Sequence, residues 1–465
     1  MNRFFYTATL KLASPILLWW LERRARKAGG VWDIRGSERY GRYSERVQTG
    51  PHDEEDGYAE TVFGFARPVW VHAVSLGETR AAQPLIQALL DQGLPVLLTH
   101  FTETGRSNGA KLFSPAIKTG RLCQAWVPYD FPDAVDGFLN YWKPRCCILI
   151  EREIWPNMVA ESKKQKIPIV VASARFSASS LRRGQLLGSV LRKALTSIDL
   201  ILTQTHLDAA RLSDIGVKRT RVVGNLKFDL RISPEQSHMG QVARRHIGRQ
   251  VIAIASTREG EDELFIRAIA DVRKKYPDAR HDRPGDNDAT ASSAGQAEAR
   301  NAMPLFVMIP RHPQRFGEVA ESLDDNGLSF CRRSDFPTDS QLRTVDVLLG
   351  DTVGEMFFYY GLSDVAIVAG SFAELGGQNH IEASALGLPV IVGPHTRNFQ
   401  QSVEDALAEG AARRAQTPAE AVALSLRILD NPELRLGMSR AAKEWLSLHE
   451  GATDRIMSAL QPYLK

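Results

Sequence analysis

Short, unbroken apolar runs recur along this chain, each followed by an amphipathic stretch long enough to be a helix. From residue 69 they read VWVHAV (69–74), LPVLLTH (94–100), LCQAWV (122–127), CCILI (146–150), IPIVVAS (167–173) and LILTQT (200–205). A strand covered on both faces has no polar face to show, so a parallel sheet flanked by helices produces continuous apolar runs instead of alternation. The rhythm breaks at RISPEQSHMGQVARRHIGRQ (231–250), a polar and basic stretch that reads as a linker or connecting helix. It resumes with VIAIAS (251–256), PLFVMIP (304–310), VDVLLG (345–350), DVAIVAG (364–370) and LPVIVG (388–393). Two α/β units, each a doubly wound parallel sheet, are expected, over 31–235 and 249–465. Within the second, DARHDRPGDNDATASSAGQAEARNA (278–302) is small and polar and is expected to be a disordered surface insertion.

The N-terminus has a different character. FFYTATLKLASPILLWWL (4–21) is apolar apart from Lys11 and a few small polar residues, and ERRARK (22–27) follows it. Charges stand where a secretory leader would need its small-residue cleavage site. Trp19 and Trp20 beside Arg23 and Arg24 suit a membrane interface, with the downstream chain cytoplasmic. Residues 1–30 are therefore read as a membrane-associating segment. Its length leaves spanning and lying in the interface both open, with Lys11 and Pro15 against spanning. The plainer alternative is an amphipathic first helix packed on the domain. A net charge of +4, from 58 basic against 54 acidic side chains, is too mild to indicate a nucleic-acid binder. Four cysteines show neither metal-ligand spacing nor a disulfide framework, which points to a reducing compartment.

Open parallel sheets bind ligands beyond the carboxyl ends of their strands. Polar and glycine-rich loops fall at nearly every such end, which a purely structural sheet does not require, and two such edges imply a cleft. Glu78, in SLGE (75–78), invites two readings. Ser75 and Glu78 have the S-x-x-E spacing of a capping box. A carboxylate on a glycine-flexed turn after a strand is also where a general base would hang. Glu151 and Glu153 follow CCILI, where a carboxylate can act electrostatically, and Lys227 closes the first unit in GNLKFD (224–229). In the second unit, Gly376 and Gly377 permit close backbone approach, and a helix start near Asn379 offers N–H groups to a phosphate. Glu382, about one turn on, suits the two hydroxyls of a ribose. Arg311 and Arg315 in PRHPQR (310–315) supply cations, Arg315 reading otherwise as a helix-surface residue and His312 as a loop histidine. Gly354 and Glu355 offer a loop near a base or ribose. No G-x-G-x-x-G or G-x-x-x-x-G-K-[ST] occurs, against a dehydrogenase or a P-loop enzyme. No H-E-x-x-H or compact carboxylate pair is present, so a reaction without metal or cofactor is expected.

Taken in order, SLGE, EREIWPN (151–157), GNLKFD, STREGE (256–261), PRHPQR, DTVGEM (351–356), GGQNHIE (376–382) and GPHTRNF (393–399) resemble the motif set of the 3-deoxy-D-manno-octulosonic acid (Kdo) transferases of lipopolysaccharide core synthesis. The hydrophobic, basic-flanked N-terminus and GSERYG (36–41) also match. The resemblance implies a GT-B architecture, two Rossmann-like units facing across a cleft. It implies inverting, metal-independent transfer of Kdo from CMP-Kdo to a phosphorylated lipid A precursor, lipid IVA, at the cytoplasmic face of the inner membrane. It assigns Glu78 as general base and Glu151 and Lys227 as transition-state stabilisers. Pro310, Arg311, His312, Val353, Gly354, Glu355, Gly376, Gly377, Asn379, His380, Ile381 and Glu382 would bind the donor. Arg152, Arg258 and Gln378 depart from the family's usual threonine, histidine and histidine. Two alternatives stay open: another GT-B enzyme, such as an epimerase or a UDP-sugar transferase, or a membrane-tethered binding protein without activity.

Overall fold

In a computed structural model of the chain, residues 2–28, 32–43, 66–176, 188–229, 232–276 and 303–465 are described. The segment 278–302, expected to be an insertion, lies outside them. The chain divides into two compact units, Met1–Leu230 with His449–Lys465, and Arg231–Leu448.

The first unit is built on a seven-stranded sheet. Its strands are β1 (Val69–His72), β2 (Val96–His100), β3 (Leu122–Trp126), β4 (Cys146–Ile150), β5 (Ile169–Ala174), β6 (Leu200–Thr203) and β7 (Thr220–Val222). They run in the order β3-β2-β1-β4-β5-β6-β7, and every pairing is parallel. Because β1 and β4 are neighbours, the loops after them emerge side by side where the strand order reverses, the usual ligand position in such sheets. Both sheet faces are dry. Val69, Val71, Leu85 and Ile148 lie in one core and Trp70, Phe138, Cys147 and Val171 in the other.

The second unit repeats the plan with β8 (Val251–Thr257), β9 (Leu305–Pro310), β10 (Phe330–Arg332), β11 (Val347–Leu349), β12 (Val365–Val368), β13 (Val390–Val392) and β14 (Ala412–Arg414). The order is β10-β11-β9-β8-β12-β13-β14, again all parallel. Here the reversal falls between β8 and β12.

The helices that matter below are α1 (Arg3–Ala28), α2 (Leu76–Ala81), α3 (Pro156–Lys164), α4 (Pro234–Ile247), α5 (Met356–Leu362), α6 (Ile381–Ala385) and α7 (Ala452–Leu460). Two of them shift the expected boundaries. The stretch read as a linker forms α4, whose cap Ser233 accepts the Gln236 N–H and whose end turns at Gly248 with φ +69°. It lies so close against α5 that any side chain on Gly240 would strike the Phe358 carbonyl, so it belongs to the second unit. At the other end, α7 returns to the first unit, where Ile456 and Leu460 join the core around Leu85. Apolar matching on one face decides the placement of α7, and order along the chain does not.

Candidate active site

In the first unit, the chain leaves β1 and starts α2 at Leu76 with Ser75 as cap. The expected capping box does not form: the Ser75 side chain makes no capping bond, and the Glu78 carboxylate reaches past Ser75 to accept the Val74 N–H at 2.6 Å. The shift by one residue leaves Glu78 half-buried, its second oxygen unused by the cap. Burial is the main cause that pushes its carboxyl up to about 8, with Glu153 and then Glu151 adding negative charge and the Val74 N–H and Lys227 opposing. The acid is thereby tuned into the range of a general base.

Glu151 caps the end of β4 in the left-handed region, φ +60°, an unfavoured conformation for a residue with a Cβ. Its N–H still bonds the Ala172 carbonyl, so the strand ladder holds it there. The Lys227 ammonium lies 2.7 Å from its carboxylate, both largely shielded from solvent. Burial pushes Glu151 upward, but Lys227, by charge and hydrogen bond, outweighs it and holds the group below its ordinary value. Glu153 accepts the Trp155 indole N–H at 3.1 Å, and burial raises its carboxyl despite that bond. Glu78, Glu151 and Lys227, distant in sequence, thus form one group in which one acid is tuned up and its neighbour down.

In the second unit the loops after β9, β11 and β12 carry the expected donor residues. Pro310 ends β9 and the Arg311 N–H bonds the Thr257 carbonyl at 3.0 Å, leaving the side chain at the surface. Burial, with Arg258 and Arg311 nearby, keeps the His312 imidazole below its usual value. Val353 is exposed at a loop tip, followed by Gly354 at φ +93°. Glu355 accepts Thr352 Oγ1 at 2.5 Å and Arg333 Nη2 at 3.0 Å. Gly376 and Gly377 both need left-handed backbone, φ +89° and +80°, and the Gly377 N–H closes the loop onto the Gly370 carbonyl at 2.7 Å. Asn379 caps the Ile381 N–H at 3.2 Å, and Glu382 lies in the first turn of α6. Burial lifts the Tyr360 phenol well above its usual value, with Glu382 adding and Arg311 opposing, so both charged groups act on one buried ring.

Three side chains differ from expectation. His380 is fully buried, stacked on Trp445 and bonded to Ser402 at 3.0 Å; Ile381 is likewise core. Their side chains serve packing, and only their backbone is left to face a ligand. Arg315 is no surface residue. It is buried and paired with Asp262, because an aspartate inside the second unit needs a cation.

Glu261, the last residue of STREGE, escaped the sequence reading as a site residue. It is buried, and its carboxylate accepts the N–H groups of Arg258, Gly370, Phe372 and Ala373 at 3.0, 2.7, 2.9 and 3.3 Å. It thus fixes the glycine-rich loop after β12. Its place at the end of the STREGE motif, beside a helix start, was the available signal. Of the departures from the family pattern, Arg152 is exposed, Arg258 pairs with Glu259, and Gln378 fills the space beside Gly370, which has φ +69°.

Residues 35–230 match the family described as 3-deoxy-D-manno-octulosonic-acid transferase (kdotransferase). The chain is 48% identical over 464 residues to a 3-deoxy-D-manno-octulosonic acid transferase of Bordetella pertussis, covering 100% of both chains. It is 29% identical to the enzyme of that name in Haemophilus influenzae, covering 100% of this chain and 99% of that one. Among solved structures, the UDP-GlcNAc 2-epimerase of Neisseria meningitidis superposes with a TM-score of 0.55 at 17% identity, over 85% of this chain and 100% of that one. That likeness concerns the fold, which is of GT-B type. The ordered motifs and the full-length identity agree: the chain belongs to the Kdo transferase family and is a glycosyltransferase of lipopolysaccharide synthesis.

Proposed function

We propose that this chain transfers Kdo from CMP-Kdo to a hydroxyl of a phosphorylated lipid A precursor, lipid IVA, with inversion at the anomeric carbon and Glu78 as general base. The observation that carries the reading is the grouping of Glu78 with the Glu151–Lys227 ion pair, 2.7 Å apart, at the ends of the neighbouring strands β1 and β4 in a chain 48% identical to a Kdo transferase. CMP is a good leaving group, so the chemical demand is to remove the acceptor proton and balance charge as the sugar becomes oxocarbenium-like. The acceptor O–H proton passes to Glu78, the new C–O bond forms on the face opposite CMP, and the C–O bond to the CMP phosphate breaks. Inversion follows from that opposition. Glu151, held ionised, favours the positive charge that develops on the sugar, and Lys227 balances the carboxylate that Kdo itself carries.

Donor binding falls to the second unit. Pro310, Arg311, His312, Val353, Gly354, Glu355, Gly376 and Gly377, with Asn379, the backbone of His380 and Ile381, and Glu382, hold CMP. Arg311 suits the phosphate, and Glu382 suits the ribose hydroxyls.

We place the chain in the interface of the cytoplasmic leaflet, with the catalytic units in the cytoplasm. The helix Arg3–Arg26 is long and apolar enough to cross a membrane, yet both its ends are tied to its own unit. Arg3 pairs with Glu161 at 3.2 Å and Glu22 with Arg35 at 2.5 Å. Phe4, Phe5, Leu12, Ile16, Leu17, Trp19 and Trp20 are exposed, as an interfacial helix requires.

The test is to incubate the purified full chain with CMP-Kdo and a tetra-acylated lipid A precursor and to weigh the product. A mass gain of one or more Kdo residues is expected. No gain with CMP-Kdo, or a gain with a UDP-sugar instead, contradicts the reading.

A further inference from the structure

The side of α1 opposite its exposed apolar residues meets the segment that carries the catalytic acids. At the start of α3 the N-cap residue is Trp155, which offers no capping oxygen. The cap comes from elsewhere in the chain: buried Asp130, in the loop after β3, accepts the Asn157 N–H at 3.1 Å on one oxygen and the Met158 N–H at 2.7 Å on the other. The Asn157 side chain returns a bond to the Asp130 carbonyl at 2.6 Å. Into this knot α1 sends two side chains. Tyr6 donates its O–H to the same Asp130 oxygen that takes the Asn157 N–H, at 2.8 Å. Thr7 donates to the Asn157 side chain at 3.1 Å. Leu10, Leu18 and Leu21 then pack on Tyr129 and Phe131, which flank Asp130, and on Ala134 in the helix that follows.

The start of α3 directly follows the turn bearing Glu151 and Glu153. That turn is fixed at one end by β4 and at the other by the Asp130 cap. Trp155 continues the linkage: its indole bonds Glu153 and its ring packs edge-on against His72 of β1, at 5.6 Å. Hydrogen bonds therefore link α1 to Asp130 and Asn157, and the short backbone from Asn157 back to Trp155 and Glu153 carries that anchoring to the acids around Glu78.

We propose that α1 is a positioning element of the catalytic turn as well as a membrane anchor, with Tyr6, Thr7 and Asp130 as positioning residues. The inference rests on the Kdo-transfer reading. It follows that anchoring and catalysis separate by helix face: the outward residues bind lipid, and the inward polar pair sets the turnover rate.

The test uses the full chain with Tyr6→Phe and Thr7→Val, assayed in detergent micelles so that membrane recruitment is not limiting. Thermal midpoint and vesicle flotation are measured in parallel. We expect kcat to fall roughly tenfold in each variant, as slight misplacement of reacting groups does. KM for CMP-Kdo and flotation should stay unchanged, and the acid limb of the pH–rate profile should move down as Glu153 retreats from Glu78. Asp130→Asn, which keeps the shape but weakens the cap, should lower kcat further. Wild-type kcat in both α1 variants overturns the inference while leaving the Kdo-transfer reading intact. Loss of flotation in place of kcat also overturns it. If the wild-type chain itself gives no product with CMP-Kdo, the functional reading fails and the inference with it.

Discussion

Glu78 answers two demands at once, and they pull its carboxyl in opposite directions. The N–H of Val74 favours the ionised form, whereas burial and the neighbouring Glu153 and Glu151 favour the protonated form, and the second influence wins. Because only the ionised form accepts a proton, kcat/KM should rise with pH and level off above about 8. Glu153→Gln removes a negative neighbour and should move that limb to lower pH. Lys227→Met removes the opposing cation and should move it higher. Opposite shifts in a pH–rate series support the assignment, and two unmoved limbs sink it. Sequence spacing alone offered a capping box or a base at this position; the backbone shows the cap displaced onto Val74, which takes one carboxylate oxygen and leaves the other outside the cap. What the spacing could not supply was the environment. Glu151 and Lys227 meet only after the sheet has formed, and the raised carboxyl of Glu78 depends on groups brought together in the same way.

At the scale of elements, the buried strands were legible and the edges were not. CCILI predicts β4 residue for residue, because a run buried on both faces carries its own signature. The strands β7, β10 and β14 escaped, each three residues long, at a sheet edge and partly polar. Short edge strands take their order from a neighbour and leave little trace in apolar patterning. The glycine-rich loop after β12 was legible in composition, but its anchor, Glu261, was not. Glu261→Ala removes a carboxylate that gathers four backbone N–H groups, and should cost about 2–4 kcal/mol in urea unfolding. It should also raise KM for CMP-Kdo by letting Gly376 and Gly377 drift. An unchanged KM with lowered stability would remove that loop from the donor site and leave Glu261 a purely structural role.

For the molecule as a whole, the two-unit plan followed from the apolar rhythm, and the exceptions follow from packing. α4 joins the second unit through a glycine-to-backbone approach, and α7 returns to fill the first core. α1 packs on its own unit through one face, as the plainer reading of its sequence had it, and exposes large apolar residues on the other, the face proposed to meet the membrane. Arg23 and Arg24 lie over Trp19 and Trp20, at 5.8 and 5.5 Å from the ring centroids, which sets cations beside the aromatic pair as an anionic interface favours. Trp19→Ser with Trp20→Ser should abolish flotation with anionic vesicles and leave the melting curve unchanged. Retained flotation would remove this face from the membrane account. The central claim is that Glu78 takes the acceptor proton, and single-turnover transfer by Glu78→Gln with CMP-Kdo and the lipid A precursor tests it most directly. A rate lowered by roughly 10²- to 10⁴-fold, with CMP-Kdo affinity retained, is the expected result; a wild-type rate from Glu78→Gln would contradict it.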